Sequence, residues 1–371
     1  MPLLLCSMPF SPEPLEALHG ATVVLAPDGT AWRARLPEAE IAVGRLFAAD
    51  LPAAGRLRWR QVPFTGVENL PLRELAARGI PVTNIHEQAD SMADHAIMLL
   101  LALSRGLADC VRSQQDAQWG RPRVGEQLRP ADLPPSVAPG RTLLAAGFGA
   151  VGRGIAARAR ASGMRVVALK RHPAPDPACG AVIGPDELLA ALPRVDAVAN
   201  SLPLTDATRG IFGAAAFAAL PPGALYVNVG RGQTEDESSP LAPSGRGSAQ
   251  LGSSRLAAAA RVIRTLATAL RSGHLGGAGL DVFATEPLPS AHPLWRVARL
   301  GPSSRLATQL RSGRFTAARS RHPDPRAIIT PHLGGHQRDR LSRVRALVAD
   351  NLSRYLRGQP LRSLVDPEAG Y

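Results

Sequence analysis

Three glycines in a G-x-G-x-x-G pattern constrain the fold of this chain more than any other feature. Gly147, Gly149 and Gly152 follow the apolar run Thr142–Ala146 and open a helical stretch that extends to Ser162. In this setting the first glycine allows a tight turn, the second lets the backbone approach a pyrophosphate, and the third lets the helix pack close to the strand. The pattern predicts a dinucleotide-binding unit, with a purely structural glycine turn as the alternative.

Short apolar segments alternate with helical segments over most of the chain. The predicted strands are Met1–Cys6, Ala21–Ala26, Ile41–Val43, Leu57–Val62, Pro81–Asn84, Thr142–Ala146, Arg165–Leu169, Ala197–Ser201 and Ala224–Val229. The predicted helices include Pro71–Gly79, Ser91–Arg105, Asp186–Leu192 and Ala214–Leu220. This alternation is typical of α/β proteins, in which helices cover a parallel sheet. The apolar helix Ser91–Arg105 should be buried on more than one side, by interior packing, between two domains or against a second subunit.

Two regions rich in Ser, Arg and Ala interrupt the alternation, at about 235–264 and 296–326. Each contains the string Ser-Ser-Arg-Leu-Ala, at 253–257 and at 303–307. A motif that occurs only twice does not make a solenoid, because repeat folds need at least three stacked units. The two regions are interpreted as insertions, and an error in the gene model is the alternative.

The formal net charge of +13 invites a nucleic-acid hypothesis, but its distribution weakens that hypothesis. Lys170 is the only lysine, and residues 296–326 hold eight arginines and one acidic residue. Aromatic residues, which could stack on bases, make up only 4% of the chain.

No apolar run approaches the roughly 18 residues of a membrane span. Three widely spaced cysteines predict a reducing cytoplasm, without a disulfide framework or a zinc site.

Basic residues stand where the second strand of the dinucleotide unit ends. NAD-binding proteins usually place Asp or Glu about 20 residues after the glycine motif, to hold the ribose hydroxyls. Here Lys170 and Arg171 occupy that position, and His172 follows. Because such cations attract a 2′-phosphate, the sequence predicts a preference for NADP(H), with NAD(H) as an alternative cofactor. A solvated strand end in an arginine-rich chain is the other interpretation.

Three later segments each present an ionisable residue after an apolar run. Arg231 follows Val227-Asn-Val-Gly, Asp281 and Glu286 follow Gly279-Leu, and His332 follows Ile329-Thr-Pro. Taken one at a time, these residues could be a surface arginine, solvated acids and a loop histidine. Their order after a G-x-G-x-x-G unit indicates that they belong to one site.

In that order, the motifs resemble those of the D-isomer-specific 2-hydroxyacid dehydrogenases. The segment Ser201–Arg209 is similar to the loop that lies beside the adenosine in this family. The segment Gly79–Asn84, followed by Ala93-Asp94-His95, looks like the entry into the family's interdomain helix, where Glu is more common than Asp94. Phe64–Glu68 resembles the glycine loop that holds the substrate carboxylate by backbone amides. The resemblance covers most of the chain outside the two interrupting regions.

The resemblance implies three reacting residues. Arg231 would grip the substrate carboxylate and polarise the keto oxygen. His332 would be the general acid in reduction and the general base in oxidation. Glu286 would pair with the imidazole and fix its tautomer. The acid at Glu286 also separates this chain from the formate dehydrogenases, which resemble the family but lack it.

The resemblance also implies the ligand contacts. Asp281 would accept a hydrogen bond from the nicotinamide carboxamide. The full set of implied cofactor contacts is Gly147, Gly149, Ala150, Val151, Gly152, Lys170, Arg171, Pro203, Thr208, Val229, Gly230, Asp281 and Gly335. The implied substrate contacts are Thr65, Gly66, Val67 and Arg231. No metal ligand set is predicted.

The fold implied is a Rossmann dinucleotide-binding domain inserted into a second, flavodoxin-like α/β substrate domain. Residues 1–100 and 333–371 would form the substrate domain, and residues 101–332 the NAD(P)-binding domain. The resemblance also implies a homodimer that forms through the region of Ser91–Arg105. The function implied is reduction of a small 2-keto acid, such as glyoxylate or hydroxypyruvate, to the D-2-hydroxy acid.

Two other hypotheses stay open at this stage. The first is a weakly active or inactive NAD(P)-sensing binding protein of the corepressor type on the same fold. It is motivated by the long spacings from Arg231 to Asp281 and from Glu286 to His332. The second is an inactive or mis-assembled gene product.

Overall fold

The computed structural model of this protein describes residues 1–7, 20–44, 46–115, 117, 119, 137–235, 266–298 and 327–371. Within these ranges the chain forms two compact units. The first unit contains Met1–Ala89 and His336–Tyr371, and the second contains Asp90–Gly335. The interrupting regions predicted at 235–264 and 296–326 lie almost entirely outside the described residues, and the domain limits predicted from the sequence stay predictions.

The first unit is built on a parallel sheet of five strands. These strands are β1 (Leu3–Cys6), β2 (Thr22–Leu25), β3 (Ile41–Val43), β4 (Trp59–Gln61) and β5 (Val82–Thr83). They lie in the order β2-β1-β3-β4-β5, and every neighbouring pair is parallel. This is the strand order of flavodoxin-like sheets. Helices α1 (Gly29–Arg35) and α2 (Leu72–Ala77) and the C-terminal helix Arg340–Leu356 complete the unit.

Successive side chains of β4 face opposite sides of this sheet, as the pleat of a strand requires. On one side, Trp59 stacks on Tyr355 of the C-terminal helix with ring centroids 5.6 Å apart. On the same side, the side-chain oxygen Oε1 of Gln61 accepts a hydrogen bond from the Asn351 side chain. Arg60 points to the other side and is 1% exposed. Among the described residues, its buried Nε and Nη1 atoms have no hydrogen-bond partner.

The second unit is built on a parallel sheet of seven strands. These are β6 (Thr142–Ala146), β7 (Arg165–Leu169), β8 (Ala181–Ile183), β9 (Ala197–Asn200), β10 (Leu225–Asn228), β11 (Gly277–Leu280) and β12 (Ala327–Ile329). Their order is β12-β11-β10-β9-β6-β7-β8, with all pairs parallel. The strand order reverses between β6 and β9, which is the topological switch point of a Rossmann sheet.

The second unit also contains α-helices. They are α3 (Ala89–Ser104), α4 (Leu107–Gln115), α5 (Ala150–Ala161), α6 (Leu188–Ala191), α7 (Ala214–Ala219), α8 (Leu266–Ser272) and α9 (Pro293–Ala298). One apolar cluster joins the sheet to α3 and α5 and includes Leu143, Leu99 and Ile155. Another joins it to α7 and α8 and includes Leu144 and Phe217. The continuous apolar runs of the strands therefore match burial on both faces of a parallel sheet.

The two parallel sheets confirm the predicted fold class. In the second unit, all strands end at the same edge of the sheet, so the loops that follow β6, β9, β10, β11 and β12 start side by side. Ligands of doubly wound folds bind at this carboxyl edge. Among the described helices, none is both long enough and apolar enough to cross a membrane.

Candidate active site

Three neighbouring strands of the second unit bring the predicted reacting residues to one edge of the sheet. Arg231 follows β10, Glu286 lies in the loop after β11, and His332 follows β12. The register pairs Leu225 of β10 with Gly277, and Ala278 of β11 with Ala327 of β12. The three residues are therefore delivered by adjacent parallel strands, although they are far apart along the chain.

Glu286 and His332 form a hydrogen-bonded pair. The Nδ1 atom of His332 lies 2.8 Å from Oε2 of Glu286, and the backbone amide of Phe283 donates to Oε1 at 2.9 Å. Because an ionised carboxylate only accepts hydrogen bonds, Nδ1 carries the proton of the neutral ring. The other ring nitrogen, Nε2, is then the atom that can exchange a proton with a ligand. The His332 side chain is 52% exposed, which leaves the ring accessible.

The backbone at His332 has a φ of +55°, in the left-handed region. A non-glycine residue there costs about 1–3 kcal/mol and persists only where its surroundings impose it. The amide of His332 donates to the carbonyl of Asp281 at 2.9 Å. The unusual backbone is therefore tied to the loop that also carries Glu286.

The Asp281 carboxylate is the most heavily bonded acid of this region and is 1% exposed. It accepts hydrogen bonds from the Thr330 hydroxyl at 2.6 Å and from the amides of Leu333 and Gly334, both at 2.8 Å. Nε2 of His95 lies 3.2 Å away. Burial by itself would raise the pKa of Asp281, but hydrogen bonds from His95, Thr330, Gly334 and Leu333 outweigh it and lower the pKa to about 2. Asp281 is therefore ionised at neutral pH.

The Arg231 loop packs directly against the loop that carries Glu286. A Cβ atom added to Gly232 would overlap the backbone of Phe283 and Ala284, so only glycine allows this approach. The Arg231 carbonyl accepts hydrogen bonds from the Thr234 hydroxyl at 2.6 Å and the Asn228 side chain at 3.1 Å. These bonds fix the turn from which the arginine side chain extends.

The glycine motif has the geometry that a dinucleotide needs. Gly147 has a φ of +84°, and a Cβ atom there would press on the backbone of Ser201 and Leu202. A Cβ atom on Gly152 would overlap the carbonyl oxygen of Gly147. A Cβ atom on Gly149, in contrast, would meet nothing within 4 Å, so open space lies at the start of the twelve-residue helix α5. A pyrophosphate fits such a helix N-terminus, where backbone amides lack intrahelical partners.

The remaining predicted cofactor residues lie along the same carboxyl edge of the second unit. Ala150 and Val151 begin α5, Lys170 and Arg171 follow β7, and Gly335 ends the unit. The Thr208 hydroxyl donates to the Pro203 carbonyl at 2.6 Å and closes the turn after β9. Val229 and Gly230 lead from β10 to Arg231, and the amide of Gly230 donates to Asn228. Their roles as cofactor contacts stay predictions.

The predicted substrate loop belongs to the first unit. The Asn84 side chain donates to the Thr65 carbonyl at 2.8 Å, and the amide of Leu70 donates to the Val67 carbonyl at 3.0 Å. Thr65 and Gly66 are partly exposed. Their amides, and that of Val67, stay predicted contacts of the substrate carboxylate.

Two members of the hydrogen-bonded network are not among the predicted site residues. In the sequence, His95 stands only in a helix entry and Thr330 only in the segment that leads to His332. Nε2 of His95 lies 2.9 Å from the Thr330 hydroxyl oxygen. The signal in the sequence is that both are polar residues beside an apolar run. His95 precedes the apolar part of α3, and Thr330 directly follows the apolar strand β12.

Comparisons with known proteins found similar sequences and similar structures. The family model for the D-isomer specific 2-hydroxyacid dehydrogenase, NAD binding domain, matches residues 97–242 and 258–302. The (S)-sulfolactate dehydrogenase of Chromohalobacter salexigens is 30% identical over 313 residues, which cover 83% of this chain and 78% of that protein. The D-3-phosphoglycerate dehydrogenase of Mycobacterium leprae is 29% identical over 93% of this chain. The present chain spans only 54% of the length of that relative.

The similar structures include the NADPH-dependent glyoxylate/hydroxypyruvate reductase of Sinorhizobium meliloti, solved in complex with NADP and sulfate. Its sequence is 25% identical, the match covers 100% of both chains, and the TM-score is 0.67.

Proposed function

Because this chain belongs to the D-isomer-specific 2-hydroxyacid dehydrogenase family, we propose that it transfers a hydride between a nicotinamide dinucleotide and carbon 2 of a small 2-keto or 2-hydroxy acid. The observation that carries the proposal is the 2.8 Å pair of His332 and Glu286 in the loops that follow β12 and β11, in the same row of three strands as β10, which Arg231 follows. An imidazole, a carboxylate and a guanidinium at the carboxyl edge of a Rossmann sheet form a set suited to this chemistry.

The residues of this chain handle the charge and the proton of the substrate, while a bound nicotinamide supplies or accepts the hydride. In reduction, the Arg231 guanidinium binds the substrate carboxylate and polarises the keto oxygen. Nε2 of His332 donates a proton to that oxygen, which becomes the hydroxyl of the product, and solvent then returns a proton to the ring. In oxidation, the same nitrogen removes the hydroxyl proton as hydride leaves carbon 2.

Glu286 selects the ring nitrogen that reacts. Its Oε2 atom holds Nδ1 of His332, and its Oε1 atom is held by the Phe283 amide. The carboxylate therefore cannot turn without giving up one of its two bonds. This arrangement keeps the ring orientation constant, so that Nε2 points at the substrate throughout the reaction.

The cofactor we propose is NADP(H) in preference to NAD(H). Lys170 and Arg171 stand at the end of β7, and His172 follows. Cations at this position favour the 2′-phosphate of NADP(H), whereas a carboxylate would favour the 2′-hydroxyl of NAD(H). The similar reductase of Sinorhizobium meliloti, solved with NADP, supports this choice.

The substrate class we propose is that of glyoxylate and hydroxypyruvate, which the name of the same reductase supports. The test is a kinetic panel of glyoxylate, hydroxypyruvate, pyruvate and phenylpyruvate with NADPH and with NADH. Reduction of at least one of the first two should be measurable as NADPH oxidation at 340 nm. Absence of turnover with every acid, together with tight NADPH binding, would instead favour a cofactor-sensing binding protein.

The acid–base assignment is tested with His332→Gln. The variant should lose about 100-fold to 10,000-fold in kcat, because general acid catalysis contributes roughly that factor. The dissociation constant for NADPH should stay within about twofold of the wild type. His336→Gln, which changes an exposed histidine four residues later, is the matched control and should retain activity. Full activity of His332→Gln would refute the assignment.

A homodimer is proposed from the exposed apolar side chains of α3 and α4. Met98, Leu101, Leu107 and Val111 are between 41% and 51% exposed. Apolar residues grouped on neighbouring helices are typical of an interface between subunits. Analytical ultracentrifugation of the wild type and of Leu101→Glu should show a dimer that weakens or dissociates in the variant.

A further inference from the structure

The segment from Thr330 to Gly334 carries His332. Almost every residue of this segment is hydrogen-bonded to Leu280 or Asp281. The amides of Thr330 and His332 donate to the carbonyls of Leu280 and Asp281, both at 2.9 Å. The amides of Leu333 and Gly334 donate to the two oxygens of the Asp281 carboxylate. These bonds hold the left-handed backbone at His332, which residues other than glycine rarely adopt without such support.

One donor to Asp281 is itself held from outside this segment. The Thr330 hydroxyl has a single proton, and at 2.6 Å that proton goes to Oδ1 of Asp281, since an ionised carboxylate can only accept. The hydroxyl oxygen can still accept hydrogen bonds through its lone pairs, and Nε2 of His95 lies 2.9 Å from it. Nε2 of His95 therefore carries a proton, which it shares between Thr330 and Asp281.

His95 comes from a different part of the second unit. It lies on the long helix α3, whose neighbouring residues Ala93, Ala96 and Leu99 are fully buried against the sheet. The side chain of His95 is only 13% exposed, so the ring has little freedom to turn away. The helix thus fixes the ring, the ring fixes the Thr330 hydroxyl, and the hydroxyl helps to fix the carboxylate that holds the His332 segment.

We propose that His95 and Thr330 are positioning residues for His332, acting through the Asp281 carboxylate. Neither side chain is bonded to the His332 ring in the part of the chain that the structure describes. The ring is oriented by Glu286, and its backbone is oriented by Asp281 with the support of His95 and Thr330. This inference rests on the proposed function, because it assumes that His332 delivers the proton.

The predicted consequence is a loss of rate without a loss of cofactor binding. A displacement of about 1 Å at a reacting atom can lower a rate on the order of a hundredfold. Thr330→Val keeps the shape of the side chain but removes both hydrogen bonds of the hydroxyl. We expect it to lower kcat with glyoxylate and NADPH at least tenfold, with the NADPH dissociation constant within twofold of the wild type. Thr330→Ser keeps the hydroxyl and should restore most of the activity.

A second pair of variants tests the same connection from the helix. His95→Phe removes the donor and should lower kcat at least fivefold, whereas His95→Gln, whose side-chain amide can donate from a similar position, should recover much of it. Because both residues act on the same carboxylate, the double variant His95→Phe with Thr330→Val should lose less than the product of the two single losses. Losses that multiply would contradict a shared role.

The decisive experiment combines these kinetics with hydrogen–deuterium exchange of the peptide that contains residues 328–336 in the full-length protein. Faster exchange and lower kcat in Thr330→Val, both reversed in Thr330→Ser, would support the proposal. It would be overturned by a kcat within twofold of the wild type, or by a rise in the NADPH dissociation constant as large as the fall in kcat. His332→Gln is measured in parallel. If that variant keeps full activity, the proposed function has failed, whereas the exchange rates still decide whether the connection holds the segment.

Discussion

Replacing Arg60 with methionine is expected to stabilise the first unit. The guanidinium lies among apolar side chains, and burial lowers its pKa from 12.5 to about 9 even though the charge of Asp50 raises it. At about 1.4 kcal/mol for each factor of ten in proton affinity, the fold disfavours the charged side chain by on the order of 5 kcal/mol. Methionine has a similar length and no N–H group that must be removed from water.

The Asp50 carboxylate, whose charge acts on Arg60 in the wild type, would not be left uncompensated by this change. The Asp50 carboxylate also lies 3.5 Å from the Arg33 side chain and accepts a hydrogen bond from the amide of Phe47 at 2.9 Å. Replacing buried ionic groups by apolar residues of similar volume is often neutral or stabilises by about 1–4 kcal/mol when no charge is orphaned. We therefore expect Arg60→Met to raise the free energy of unfolding of the first unit by about 2–4 kcal/mol at pH 7.

Urea unfolding followed by tryptophan fluorescence measures this difference, because Trp32 and Trp59 are fully buried in the first unit. Arg58→Met changes an exposed arginine at the edge of the same strand and serves as the control, with an expected effect within about 0.5 kcal/mol.

The pH dependence of the stability difference gives a second check. Below pH 9 both states of the wild type are protonated, so the cost of the charge is fully present. Between about pH 9 and 12 the native state loses the proton first, and the advantage of the variant should shrink. A variant less stable than the wild type would refute the reasoning.

Three further predictions concern the second unit. Gly152→Ala places a methyl group against the carbonyl oxygen of Gly147 and should raise the NADPH dissociation constant by about a hundredfold in a fluorescence titration. The double variant Lys170→Ala with Arg171→Ala should raise KM for NADPH about tenfold or more and change KM for NADH by less than threefold; equal changes would contradict a 2′-phosphate site. Asp281→Asn should destabilise the protein above pH 4. The difference from the wild type should shrink in acid unfolding as the pH falls toward 2, because the stability that a depressed carboxyl pKa contributes is lost there.

The sequence was sufficient to predict the two parallel sheets but not every element. The long strands were found because their apolar runs are continuous, as burial on both faces requires. Strand β8 was missed because its short apolar run, Ala181–Ile183, stands between Gly180 and Gly184, and glycines on both sides are typical of a turn. Helix α1 was also missed, although Asp28, whose side chain accepts hydrogen bonds from the amides of Thr30 and Ala31, is a typical N-cap.

Local sequence motifs were enough to predict the residues of the candidate site that follow strands, but not the contacts between distant parts of the chain. Each proposed reacting residue directly or closely follows an apolar strand, and parallel strands end at one edge, so the sequence predicts Arg231, Glu286 and His332 together. The contact between His95 and Thr330 spans 235 positions along the chain. No local pattern specifies such a pair, since it depends on which helix packs over which strand end and on the direction of each side chain.

The register of the second sheet has a consequence for how far this chain can vary. Strands β10, β11 and β12 pair residue by residue, although residues 236–265 and 299–326 lie between them in the sequence. Loop closure becomes only slowly more costly as a connection grows, so ladder pairing rather than chain length determines where the strand ends meet. Homologues with much shorter connections at these two places can therefore keep the same catalytic geometry, and an engineer can exchange either connection while the spacing from imidazole to carboxylate stays as it is.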